Sequence, residues 1–232
     1  MEAKWVVKNN RRSLILFFCG WGFDERCIKH ISSQSHDVVA IYDYRSLDFD
    51  ASVTNGYDEV VLVAWSFGVW AAGWLMEQGL IKANSAYAIN GTLNPVNDSE
   101  GIPAAIFNGT VSNLTEATMK KFMMRICGGA RGYAELSELM PQRCFEEQKE
   151  ELILLGEYFQ KRPFSNQDIW SLALISADDL IFPFQNMKNH WGDKATTIAG
   201  AHLCFGKVES WKDMTKTKRM VMKKVTKIDF NN

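Results

Sequence analysis

Short, unbroken apolar runs punctuate the chain: Leu14 to Phe18, Val38 to Tyr42, Val60 to Ala64, Ala86 to Asn90, Ala104 to Asn108, Ala173 to Ser176 and Thr196 to Ile198. Runs of this length without polar alternation predict strands buried on both faces. Between several of them lie stretches of helical spacing, Glu25 to Ile31, Val69 to Gln78, Phe184 to Trp191 and Lys207 to Val225. Strand and helix in alternation predict an α/β fold, a mostly parallel central sheet with helices on both faces.

One region breaks the alternation. From about Ser112 to Gln167 the patterns "LTEATMKKFMMRICGG", "YAELSELM" and "QRCFEEQKEELILLGEYFQ" are helical, punctuated by Gly128, Gly129 and Pro141. They predict a helical insertion between two strands, so the expected organisation is core over residues 1–111, lid over 112–167 and core again over 168–232. Such an insertion would cover the carboxyl ends of the strands, where open parallel sheets place their sites.

Composition narrows the class. With 232 residues, 47% hydrophobic and 23% charged, the chain is long enough to bury a sizeable core. A formal net charge of −1 gives no global reason to expect nucleic-acid binding. The opening "MEAKWVVKNNRRSLILFF" puts charges before a short apolar run, but that run continues into Gly20-Trp21-Gly22 without a small-residue cleavage site, and so reads as a first strand rather than a signal. No apolar segment approaches the roughly 20 residues that span a bilayer, so no membrane role is expected. Five cysteines, odd in number and without CxxC spacing, argue against a disulfide framework or a zinc site. The expected compartment is the cytoplasm, and sequons such as Asn90-Gly91-Thr92 are then chance matches.

The chemistry centres on "VAWSFGVWAA". A strand turning sharply into a helix with a serine at the apex needs small residues two positions to either side, and Ala64 and Gly68 flank Ser66 in that way. The pattern is that of the nucleophile elbow G-x-S-x-G with alanine for the first glycine. Ser66 could instead serve only as a helix cap. A nucleophile of this kind takes its acid and then its base from further along the chain. Of four histidines only His190 and His202 follow Ser66. His202, in the Gly/Ala-flanked "TIAGAHLCFG", is the better base, whereas His190 reads as solvated or helix-terminal. For the acid, "LALISADDLIFP" offers two aspartates, and Asp179, four residues before Pro183, is preferred to Asp178. Oxyanion donors would be the backbone N–H of Phe67, next to the nucleophile, and of Trp21, in the "FFCGWGFD" loop after an early strand.

"FFCGWGFD", "VAWSFGVWAA", "AINGTLNPVNDSEGIP" and "GAHLCF" together resemble the BioG family of pimeloyl-[acyl-carrier protein] methyl ester esterases, a branch of the α/β-hydrolase superfamily. The resemblance covers most of the chain. Cys19, where a histidine often precedes the oxyanion glycine, and Ala64 depart from the commoner superfamily pattern. The resemblance implies an α/β-hydrolase fold with a helical lid, and a serine carboxylesterase that releases methanol from pimeloyl-acyl carrier protein methyl ester in biotin biosynthesis. It implies Ser66 as nucleophile, His202 as base and Asp179 as its partner, with neither metal nor organic cofactor. An aliphatic acyl chain would need an apolar channel, for which the insertion offers Leu114, Phe122, Met123 and Met124. An acidic carrier would meet basic side chains; Lys120, Lys121, Arg125 and Arg131 are candidates, as is a cluster from Lys216 to Lys227. The alternatives are a short-chain carboxylesterase or thioesterase, a non-catalytic binding protein on the same scaffold, and a cysteine hydrolase using Cys204.

Overall fold

The computed structural model describes residues 1–161 and 169–212. Seven strands form one sheet in the order β1-β3-β2-β4-β5-β6-β7, comprising β1 Glu2–Val7, β2 Ser13–Phe18, β3 His36–Tyr42, β4 Glu59–Trp65, β5 Ser85–Ile89, β6 Leu172–Ser176 and β7 Ala195–Ile198. All neighbours pair in parallel except β1, which runs antiparallel to β3 at the edge. The apolar runs explain the interior. Leu14 to Phe18 in β2 and Leu62 and Ala64 in β4 have no exposed surface, as central strands covered on both faces require. Strand β1 escaped the sequence reading because its outer half, Glu2 to Lys4, is exposed and offers no apolar run.

Bounded within the described residues are the α-helices α1 Phe67–Glu77, α2 Ala104–Ser112, α3 Glu116–Ile126, α4 Ala130–Glu135, α5 Phe145–Lys161 and α6 Phe184–Trp191. Ala104 to Asn108, expected as a strand, is the start of α2 instead. Pro103 sets the entry, the Asp98 carboxylate accepts from the Ala104 N–H at 2.8 Å, and Phe107, Val111 and Leu114 recur at helical spacing on the inward side. The Glu25 helix is shorter than expected, a 3-10 turn over Glu25–Ile28. At the C-terminal end a 3-10 turn covers Phe205–Lys207 and Val208 is extended, so no helix starts at Lys207. Most of that expected helix, with the basic cluster from Lys216 to Lys227, lies outside the described residues. Helices α2 to α5 all fall between β5 and β6.

Chain direction identifies the crevice. From β2 the chain goes to β3 on one side, then crosses back over β2 to β4 and continues outward through β5, β6 and β7. The reversal lies between β2 and β4, and open α/β sheets bind ligands at the carboxyl ends of the strands at such a point. The loop after β2 carries Gly20 and Trp21; the turn after β4 carries Ser66. Far from that edge, Asp37 ties the sheet's opposite end together. Its buried carboxylate accepts from the N–H of Asn9 and Arg11 at 2.8 and 3.2 Å and from the Tyr57 hydroxyl at 2.9 Å. Burial alone would raise its pKa, but these donors outweigh it and hold the group below the ordinary value of 3.8.

Candidate active site

Ser66 occupies φ 58°, ψ −129°, a region that residues with a side chain rarely enter. Holding it there costs on the order of 1–3 kcal/mol, which the packing of the turn must offset. That packing depends on missing side chains. A Cβ on Gly68 would overlap the carbonyl oxygens of Cys19 and Phe18, and one on Gly91 would overlap that of Ser66 itself. The Ser66 N–H is tied to the Ile89 carbonyl at 2.9 Å, and its side chain makes no capping bond to α1. The capping alternative is therefore not realised.

The freed hydroxyl meets His202 instead. Ser66 Oγ lies 2.9 Å from His202 Nε2, and His202 Nδ1 lies 2.7 Å from Asp179 Oδ2. The other carboxylate oxygen, Asp179 Oδ1, accepts from the backbone N–H groups of Ile181 and Phe182 at 2.7 and 2.9 Å. An acceptor-only group fixed in this way orients Nδ1–H toward itself and leaves the Nε2 lone pair for the serine proton. All three side chains are buried; His202 is 1% exposed. The Phe182 ring stacks on the imidazole at 5.9 Å and 5°. Asp178 is exposed, and the carboxylate that meets His202 is that of Asp179.

Sequence reasoning missed the residue that holds the histidine loop. Asn90 is 1% exposed at φ 46°. Its amide nitrogen donates to the His202 carbonyl and the Ser176 hydroxyl, each at 2.8 Å, while its oxygen accepts from the Ser176 N–H at 2.7 Å. Trp65 Nε1 adds a second donor to the His202 carbonyl at 2.9 Å. The "NGTLNPV" segment was visible as a motif, but nothing in it announced a long-range contact.

Around this group the backbone offers positive charge. The N–H groups of Trp21 and Phe67 donate to no acceptor among the described residues, and Phe67 begins α1, whose N-terminus favours an anion. Both residues line a small, partly open apolar pocket together with Phe107, Phe122 and Ile181, with Thr110 and Arg125 as polar members.

Of the carrier and substrate candidates, Phe122 faces this cavity and packs on Trp21 at 4.9 Å. Met123 does not line it; at helical spacing from Met119 and Ile126 it points into the buried side of α3. Leu114 is also buried away from it. Arg125 borders the cavity and donates to the Leu180 carbonyl at 2.7 Å. Lys120 and Lys121 are exposed on α3, and exposed Arg131 pairs with Glu135 at 3.6 Å.

His190 is helix-terminal but not solvated. It is 5% exposed in the last turn of α6, with Nε2 accepting from the Leu93 N–H at 3.2 Å and Nδ1 3.1 Å from Glu100. Burial lowers its pKa despite that carboxylate. Burial also pushes the Cys204 thiol up to about 12, so it is not poised as a thiolate. No group of three His, Cys, Asp or Glu side chains among the described residues is arranged to hold a metal.

A mostly parallel sheet, a strained serine turn at its topological switch point and helices over the strand ends define the α/β-hydrolase fold. A structure of an α/β-hydrolase-fold protein from Burkholderia ambifaria superimposes with a TM-score of 0.61 over 88% of this chain and 89% of that one; at 12% identity it speaks for the fold alone. The chain belongs to the BioG family: the family model described as pimeloyl-ACP methyl esterase BioG matches residues 1–214. The crystal structure of BioG from Haemophilus influenzae is similar at 37% identity and a TM-score of 0.84, covering 91% of this chain and 98% of that one. A Bacteroides fragilis protein named malonyl-[acyl-carrier protein] O-methyltransferase is 42% identical over 195 residues, 83% of this chain. The match spans only 40% of that relative's length.

Proposed function

We propose that the protein is a serine carboxylesterase that hydrolyses the methyl ester of pimeloyl-acyl carrier protein, giving pimeloyl-acyl carrier protein and methanol in biotin biosynthesis. The observation that carries this reading is the continuous Ser66–His202–Asp179 hydrogen-bond chain, next in sequence to the Phe67 and Ile181 that line an apolar pocket, in a member of the BioG family. Ser66 Oγ attacks the ester carbonyl carbon as its proton passes to His202 Nε2, and Asp179 stabilises the imidazolium. The carbonyl oxygen becomes an oxyanion held by the N–H groups of Trp21 and Phe67. The carbon–methoxide bond breaks as His202 returns the proton, releasing methanol. Water then repeats the sequence on the acyl-enzyme, with His202 as base, and frees the carboxylate.

The helical block between β5 and β6, expected over residues 112–167, acts as the lid and supplies Phe122 to the acyl site. Lys120, Lys121 and Arg125 face the acidic carrier. The test is direct. The purified protein is given pimeloyl-carrier methyl ester, simple acyl esters and acyl thioesters, and methanol or free thiol is measured. The carrier-linked methyl ester should be turned over with the highest kcat/KM; preference for simple esters or thioesters would remove the biotin reading and keep the hydrolase.

A further inference from the structure

Beyond Cys19, whose N–H donates to the Ile41 carbonyl of β3 at 2.9 Å, the loop that carries Trp21 leaves the sheet. Its anchors come from α5 and from the loop after β3. The Trp21 indole Nε1 donates to the Gln148 carbonyl at 2.6 Å, and Gln148 Nε2 donates to the Gly22 carbonyl at 2.8 Å. The Gly22 N–H donates to Glu151 Oε2 at 3.2 Å, while Glu151 Oε1 accepts from the Tyr44 N–H at 2.9 Å. Tyr44 closes the ring with its hydroxyl on the Cys19 carbonyl at 2.6 Å. Gly22 sits at φ 74°, and a Cβ there would come within 3.2 Å of Met119 Cε and 3.4 Å of Gln148 Nε2.

Glu151 is a costly way to fasten a loop. It is 0% exposed, and its carboxylate is met by Arg143 at 2.5 Å, itself paired with Asp43 at 3.1 Å. Taking such ions out of water is unfavourable before their attraction is counted, and an apolar cluster of the same volume often serves stability as well. What an apolar cluster cannot do is hold two backbone N–H groups, those of Gly22 and Tyr44, in fixed directions. The peptide that carries the Trp21 N–H is the immediate neighbour of the one that Glu151 holds.

We infer that Gln148 and Glu151 are positioning residues for the hydrolytic reaction. From α5 they clamp Trp21 and Gly22 so that the Trp21 N–H points at the developing oxyanion. The inference rests on the hydrolase reading above. It also divides the helical block: the first turns of α5 are a fixed part of the oxyanion apparatus rather than a cover that lifts away.

Gln148→Met removes the donor at nearly constant volume, and Glu151→Gln removes the charge. Losing an oxyanion donor outright costs about 100- to 1000-fold in kcat, so a misaimed one should cost about 10- to 100-fold, with KM within about threefold of wild type. Hexylboronic acid, which forms a tetrahedral anionic adduct on the serine oxygen, should lose affinity by the same factor. Wild-type kcat and boronate affinity in folded variants would overturn the clamp, as would losses confined to KM. Should both variants fail to fold, Trp21→Phe cuts only the indole tie and should still lower kcat several-fold; unchanged kcat there overturns the clamp. If Ser66→Ala retains turnover, the hydrolase reading falls. If Ser66→Ala is dead and the clamp variants match wild type, only the clamp falls.

Discussion

Replacing Asp179 by asparagine changes one atom and should stop the enzyme. In the wild type, Oδ1 accepts from two backbone N–H groups and Oδ2 accepts from His202 Nδ1 at 2.7 Å. Asparagine has a single oxygen. If that oxygen stays with Ile181 and Phe182, the amide NH2 faces Nδ1, which must then accept, and the imidazole proton moves to Nε2. There it points at Ser66 Oγ and leaves no lone pair for the serine proton. In serine proteases the same exchange lowers kcat by about 10⁴, or roughly 5.5 kcal/mol in the barrier. The backbone bonds survive and the carboxylate's ion pair exists only when His202 is protonated, so the melting temperature should change little. Asp178→Asn, on the exposed neighbour, is the control and should match wild type. Methanol release from the carrier-linked ester at neutral pH is the assay; Asp179→Asn within tenfold of wild type would refute the tautomer argument.

Cys204→Ala should keep kcat within about twofold, because the thiol is pushed up to about 12 by burial and is protonated at neutral pH; loss of turnover would revive the cysteine reading. Asp37→Asn should cost about 1–3 kcal/mol in urea unfolding at pH 7. Its folded pKa is depressed, so the wild type's advantage should be complete above the ordinary value of 3.8 and fade as pH falls below it; a gap that widens in acid would contradict this. Lys120→Glu with Lys121→Glu should raise KM for the carrier-linked ester and weaken its salt dependence, leaving kcat on a simple ester unchanged; an unchanged KM would remove those lysines from the docking surface.

The parallel interior was legible because its strands are continuous apolar runs. Ser66, Asp179 and His202 could be paired across 136 residues because chain order and one strained turn limit the choices severely. Two kinds of feature were not legible. Ala104 to Asn108 is an apolar run too short to separate a buried strand from the first turn of a helix, and the decision came from Pro103 and the Asp98 cap. Asn90, Gln148 and Glu151 act across the fold, on His202, Gly22 and Tyr44, and a polar side chain in sequence carries no mark of which distant backbone group it will meet. Glu151 in particular sits within "FEEQKEEL", where six of eight residues are polar and only one or two need be buried.

The most direct measurement is methanol release from pimeloyl-carrier protein methyl ester by wild type and Ser66→Ala, with folding checked by thermal unfolding. Removing the nucleophile's oxygen should abolish turnover, a loss of about 10⁶-fold in kcat, while the unfolding transition is retained. A folded Ser66→Ala variant that releases methanol at the wild-type rate would contradict catalysis by this serine.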